Sequence, residues 1–141
     1  MKKEKIINLI KEKGSYEMFE LKDNNYSKEE LNELSNDGET FPLLLAIQKG
    51  KSEHFIATPE VLEKLDVNMI NKHGTTALME LAKNAYSRRL LILILLEAGA
   101  DWTMKDEKDM TAVDYAKISA DETDNILGWF SMTDWIKKHQ D

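Results

Sequence analysis

The 141-residue chain contains no cysteine. That absence excludes disulfides, thiolate nucleophiles and Cys-ligated zinc or iron–sulfur centres. Two prolines and six glycines leave little material for long Pro- or Gly-rich linkers. Positive charge is in deficit, with 19 basic against 26 acidic side chains and a net charge of −7. Nucleic acid and anionic membranes reward clustered positive charge, so the balance points away from both as partners. Long apolar runs are lacking too. The longest, residues 90–96, reads Leu-Leu-Ile-Leu-Ile-Leu-Leu, far short of the roughly 20 residues that span a bilayer, and is expected to form a fully buried helix. The apolar stretch after the basic start, residues 6–10, is interrupted by Asn8 and stopped by Lys11, where a signal peptide needs roughly 7–15 apolar residues. A cytoplasmic location is expected.

What remains is a composition suited to one folded domain, 42% hydrophobic and 32% charged. Three of its segments line up. Asp37-Gly38-Glu39-Thr40-Phe41-Pro42-Leu43-Leu44-Leu45-Ala46 is followed by His73-Gly74-Thr75-Thr76-Ala77-Leu78-Met79-Glu80-Leu81-Ala82, and then by Lys108-Asp109-Met110-Thr111-Ala112-Val113-Asp114-Tyr115-Ala116. The threonines at 40, 76 and 111 are offset by 36 and 35 residues. A second track keeps step, Leu62-Glu63-Lys64-Leu65-Asp66 before the second copy and Leu95-Leu96-Glu97-Ala98-Gly99-Ala100-Asp101 before the third.

These residues resemble the ankyrin repeat family, whose unit of about 33 residues is a β-turn finger followed by two antiparallel helices. Thr76-Ala77-Leu78-Met79 and Thr111-Ala112-Val113-Asp114 resemble the start of the family's first helix. The segment from Leu95 to Asp101 resembles the exit of its second, with Gly99 placed to stop it in a left-handed conformation. The resemblance implies an all-α fold, an ankyrin-type solenoid of stacked helix-turn-helix repeats joined by β-turn fingers. It divides the single domain 1–141 into an N-terminal cap (1–36), central repeats (37–118) and a C-terminal cap (119–141). Departures fall in loops: Phe41 shifts the first copy by one residue, residues 83–89 carry about two extra residues, and Asp109 stands where the other copies have Gly38 and Gly74. In the flanks, Ile6, Ile7, Leu9 and Ile10 form one apolar helical face, and Ser27 with Glu30 makes a capping box. Ile126, Leu127, Trp129, Phe130, Trp135 and Ile136 supply an apolar set at the other end, as the end units of a solenoid require.

Chemistry-bearing motifs are sparse. His54, His73 and His139 show no metal-ligand spacing, so no metal is expected. Gly50-Lys51-Ser52 resembles the end of a phosphate-binding loop, but Leu45 occupies the place of its upstream glycine. Paired carboxylates such as Glu29 and Glu30 fall in polar stretches and read as solvated charge. No nucleophile elbow is present. No catalytic residue and no cofactor are expected.

Function is then read from surfaces. The resemblance implies protein binding along a concave face formed by the fingers, residues 36–39, 71–75 and 104–110, and by first-helix positions Leu45, Glu80 and Tyr115. Candidate contact residues are Asp37, Glu39, Asn71, Lys72, His73, Glu80, Trp102, Met104, Asp106 and Tyr115. Trp102 follows Gly99-Ala100-Asp101 and is either an interface anchor or a ring laid over the neighbouring finger. Residues 14–47 hold eight acids and two bases and residues 97–124 nine acids and three bases, whereas residues 48–96 hold five acids and seven bases. Two acidic segments beside the fingers would steer a basic protein partner. The expected function is a non-enzymatic protein-binding module, monomeric on its own. Small acidic ankyrin proteins of this kind resemble the immunity proteins encoded beside secreted toxins. The alternatives are a structural subunit of a larger complex or an enzyme with an unrecognised site.

Overall fold

A computed structural model describes residues 6–13, 27–49, 59–84 and 88–119. Trp129, Trp135 and the rest of the expected C-terminal cap, Tyr86, His54, His139 and Gly50-Lys51-Ser52 lie outside these residues. The described chain is helical, without a strand among the described residues. Seven helices follow in order: α1 (Ile6–Lys13), α2 (Lys28–Leu31), α3 (Pro42–Lys49), α4 (Pro59–Lys64), α5 (Ala77–Ala82), α6 (Arg89–Glu97) and α7 (Ala112–Ser119). Alternate helices form a row: α1 packs on α3, α3 on α5 and α5 on α7. Helix α6 packs back against α5.

Four helix starts follow from local chemistry. The expected capping box opens α2, with Ser27 N–H donating to Glu30 Oε1 at 2.9 Å and Glu30 N–H to Ser27 Oγ at 3.1 Å. Thr76 caps α5 by accepting from Met79 N–H at 3.1 Å. Thr111 does the same for α7 from Asp114 N–H at 3.2 Å, and the Asp114 carboxylate returns the bond to Thr111 N–H at 2.9 Å. At α3 the equivalent position is Phe41, not Thr40: Phe41 C=O accepts from Leu45, as Thr76 C=O does from Glu80 and Thr111 C=O from Tyr115. Phe41 brings no capping oxygen, and Pro42 behind it has no N–H that needs one.

The core runs along this row. Ile6, Ile7 and Ile10 of α1, residues 43–47 of α3, Leu78, Met79 and Leu81 of α5, and Ala112, Val113 and Ala116 of α7 are all buried. Helix α6 corrects the expectation of a fully buried apolar run. Leu91, Ile92, Leu95 and Leu96 face the core, but Leu90 is 51% and Leu93 36% exposed. With about 3.6 residues per turn, only one face of α6 can lie against α5, and Leu90, Leu93 and Glu97 fall on the other. At its far end α6 stops as expected. Gly99 takes φ 106°, its N–H donates to Leu96 C=O, and Ala100 N–H donates to Leu95 C=O. That pair of bonds is the Schellman arrangement.

Asparagines tie one unit to the next. Asn32 Oδ1 accepts from Asp66 N–H at 2.8 Å while its amide donates to Lys64 C=O at 2.8 Å. Asn68 repeats the device one unit on, accepting from Asp101 N–H at 2.7 Å and donating to Gly99 C=O at 3.1 Å. Arg88, in the stretch 83–89 that carries the extra residues, donates from Nη2 to Ile47 C=O at 3.1 Å. Its charge therefore sits at the negative end of α3.

Candidate functional site

The three turns before α3, α5 and α7 are built alike. In the second, Asn71 N–H donates to Thr75 C=O and Gly74 N–H to Asn71 C=O, while Asn71 Oδ1 accepts from His73 N–H at 2.9 Å and Thr75 N–H at 3.0 Å. In the third, Asp106 takes every one of those roles. Its N–H donates to Met110 C=O, its C=O accepts from Asp109, and Oδ1 accepts from Lys108 N–H at 2.9 Å and Met110 N–H at 3.1 Å. The first turn shares the job between Ser35 and Asp37: Ser35 Oγ accepts from Thr40 N–H at 3.0 Å and donates to Asp37 Oδ1 at 2.6 Å. Gly38 and Gly74 adopt φ 75° and 77°, and Asp109 follows them at φ 63°, so the missing third glycine leaves the turn's shape intact.

The matched bonds locate the one-residue shift. Ser35 corresponds to Asn71 and Asp106, Gly38 to Gly74 and Asp109, and Phe41 to Thr76 and Thr111. Glu39 is the residue with no counterpart. The threonine offset of 36 arises because Thr40 lines up with Thr75 and not with Thr76; the helix-to-helix spacing is 35 residues, and Glu39 lengthens the first turn ahead of Thr40.

Successive turns are joined edge to edge. Lys72 N–H donates to Gly38 C=O at 2.8 Å, and Glu107 N–H donates to His73 C=O at 2.9 Å. Side chains follow the same line. Glu39 Oε1 meets Lys72 Nζ at 2.7 Å and its Oε2 meets His73 Nε2 at 3.2 Å, while His73 Nδ1 meets Glu107 Oε1 at 2.9 Å. The result is a row of alternating charge across three turns, each member roughly half exposed. The Lys72 ammonium holds the Glu39 carboxyl below its usual range and is itself raised by Glu39. Glu107 above all, with Glu39, raises His73 against the opposing effect of burial.

A second group lies where the third turn meets the first helices. Tyr115 donates its hydroxyl hydrogen to Asp106 Oδ2. Burial and that carboxylate push the phenol up to about 12. Lys83 Nζ lies 5.3 Å from the Tyr115 ring centroid and 3.3 Å from Glu80 Oε2.

The structure therefore sorts the expected contact residues. Glu39, Lys72 and His73 share the charged row, with Asp37 exposed beside them. Glu80, Asp106 and Tyr115 form the second group. Asn71 is only 8% exposed, and its side chain is occupied by the turn's own N–H groups and by Glu39 C=O at 2.9 Å. Trp102 and Met104 are partly buried against the core, and Leu45 is core as well. Glu107 was not among the expected residues. Its signal was present in the sequence, since Glu39, His73 and Glu107 are spaced by 34 residues each time, the same interval as the two backbone links.

Among the described residues, no group of three His, Asp or Glu could hold a metal ion, and no helix is long and apolar enough to cross a membrane. No protein-family model matches the chain, and no curated protein matches it.

Proposed function

We propose that the chain is an ankyrin-type solenoid and acts as a non-enzymatic, cytoplasmic protein-binding module, contacting its partner through the row of turns and the adjoining first-helix face. The observation that carries this reading is the edge-to-edge joining of the three turns by Lys72 N–H and Glu107 N–H. Backbone bonds between loops make a surface that is fixed before a partner arrives, which lowers the ordering cost of binding. Glu39, Lys72, His73 and Glu107 on that surface carry both signs of charge, which favours specificity and orientation over indiscriminate attachment.

The net charge of −7 supports a basic protein as the partner. An inhibitor that covers a basic cleft of a toxin is the narrower form of the reading, supported by size and charge alone.

The test compares the wild-type chain with a Glu39→Lys/Glu107→Lys variant whose circular dichroism is unchanged. Each is used to capture proteins from cells of the source organism, and a captured protein is then purified and titrated against both. The expected result is a basic partner that binds the variant at least ten-fold more weakly. A partner that binds both equally, or none in repeated captures, sinks the reading.

A further inference from the structure

His73 has both ring nitrogens against carboxylates: Nε2 at 3.2 Å from Glu39 of the first turn and Nδ1 at 2.9 Å from Glu107 of the third. A neutral imidazole carries one N–H, so it can donate to only one of them and must turn a lone pair toward the other. Only the imidazolium satisfies both contacts. We propose that His73 is a protonation-dependent strut: as a cation it ties three successive turns together, and loss of its proton releases one carboxylate and loosens the row. The consequence for partner binding rests on the row being the contact face, as proposed above.

The groups around the ring set the sense of the change. Glu39 faces it from the first turn and Glu107 from the third, while Lys72 on its own turn holds the other oxygen of Glu39 at 2.7 Å. Asp37 lies close enough to act on Lys72, and the Asp106 backbone packs against Gly74 next to the ring. Lys105 is directed to Asp109, at 3.5 Å, within the third turn. With the imidazolium, the set Glu39, Lys72, His73 and Glu107 is neutral; without it, the set is left one charge negative. Lys72 is then the one cation of the set against two carboxylates.

The raised value of His73 fixes the direction on the pH scale. A group raised by folding adds stability in full below its unfolded value of about 6.5, and that stability is lost as pH climbs through the folded value. The row is therefore tied below about pH 6.5 and slackens as pH rises through the folded value above it.

Two readouts on the full-length chain decide the matter, and neither needs a partner. NMR titration of the His73 ring is expected to give a midpoint above about 6.5, displaced downward by Glu107→Gln and less by Glu39→Gln. Amide hydrogen exchange, corrected for intrinsic rate, is expected to show the protection of Glu107 N–H falling at least five-fold between pH 6 and 8.5. In His73→Asn that fall should vanish. A midpoint at or below the ordinary value, or the same loss of protection in wild type and His73→Asn, overturns the strut. Either result leaves the binding reading standing, and failure to find a partner leaves the strut standing.

Discussion

Tyr115 on α7 donates to the carboxylate of Asp106, so the third turn is fastened to the helix that follows it nine residues later in the chain. The same carboxylate receives the N–H groups of Lys108 and Met110 through its other oxygen. One side chain thus shapes the turn and anchors it. Tyr115→Phe removes the anchor and keeps the ring, and is expected to cost about 1 kcal/mol in urea unfolding, as a partly exposed hydrogen bond does. In an ultraviolet pH titration, one of the four tyrosines, Tyr115, should ionise only near the value of about 12 to which burial and Asp106 push it. That late step should be missing from Tyr115→Phe.

Gly74 and Gly38 share a left-handed backbone but differ in their neighbours. A Cβ at Gly74 would meet Asp106 Cα at 3.1 Å, whereas one at Gly38 would meet Lys72 Cβ at 3.2 Å and otherwise only the stem of that exposed side chain. Both Ala substitutions incur the left-handed penalty of about 1–2 kcal/mol. Gly74→Ala should be the more damaging, because all of its near contacts are backbone atoms of the third turn, whereas at Gly38 only Lys72 Cβ is held by the backbone and the rest of that stem can turn away. Equal losses in thermal unfolding would contradict that ordering.

Asn32 and Asn68 fasten consecutive units through paired bonds to main-chain groups. Each Asn→Ala change should cost about 1 kcal/mol, since it removes two hydrogen bonds whose main-chain partners are mostly exposed and can turn to water. The two sites share no partner, so the double variant should lose the sum of the two to within about 0.5 kcal/mol. A smaller combined loss in urea unfolding would mean that the ties are not independent.

Acid should weaken the described turns. Ser35 and the Glu39 N–H hold Asp37 below its ordinary value, Lys72 does so for Glu39, and Thr103 for Asp101. For Asp106, burial pulls upward but Tyr115 and the Met110 and Lys108 N–H groups outweigh it. Carboxylates depressed by folding add stability above their unfolded values, near pH 4, and lose it as pH falls through the folded ones. The urea midpoint should therefore drop between about pH 4 and pH 2. Asp106→Asn should start from a lower midpoint and fall less steeply over that range.

The helix starts and stops were readable because each rests on a few local residues: Ser27 with Glu30, Thr76, Thr111, and Gly99 with its two carbonyl partners. The positive φ of Asp109 was readable by comparison with Gly38 and Gly74. The facing of Leu90 and Leu93 was not, because an unbroken apolar run has no periodicity to show which side meets the core. The role of Asn71 was equally hidden. A polar residue in a turn looks like surface until its bonds to His73, Thr75 and Glu39 are seen. Glu107 was missed because its importance lies in His73, one unit away, and not in its own neighbours.

Glu39 is the residue that the other two turns lack, and it has partners along its whole length: its carbonyl takes the Asn71 amide and its carboxylate takes Lys72 and His73. A surface made of identical units would read the same after a shift of one unit, and a ligand could slide along it into the wrong frame. The extra glutamate breaks that translational sameness at one end of the row. It gives the row a head and a tail, so that, on the proposed binding reading, a molecule lying along the turns would have one frame in which Glu39 is met.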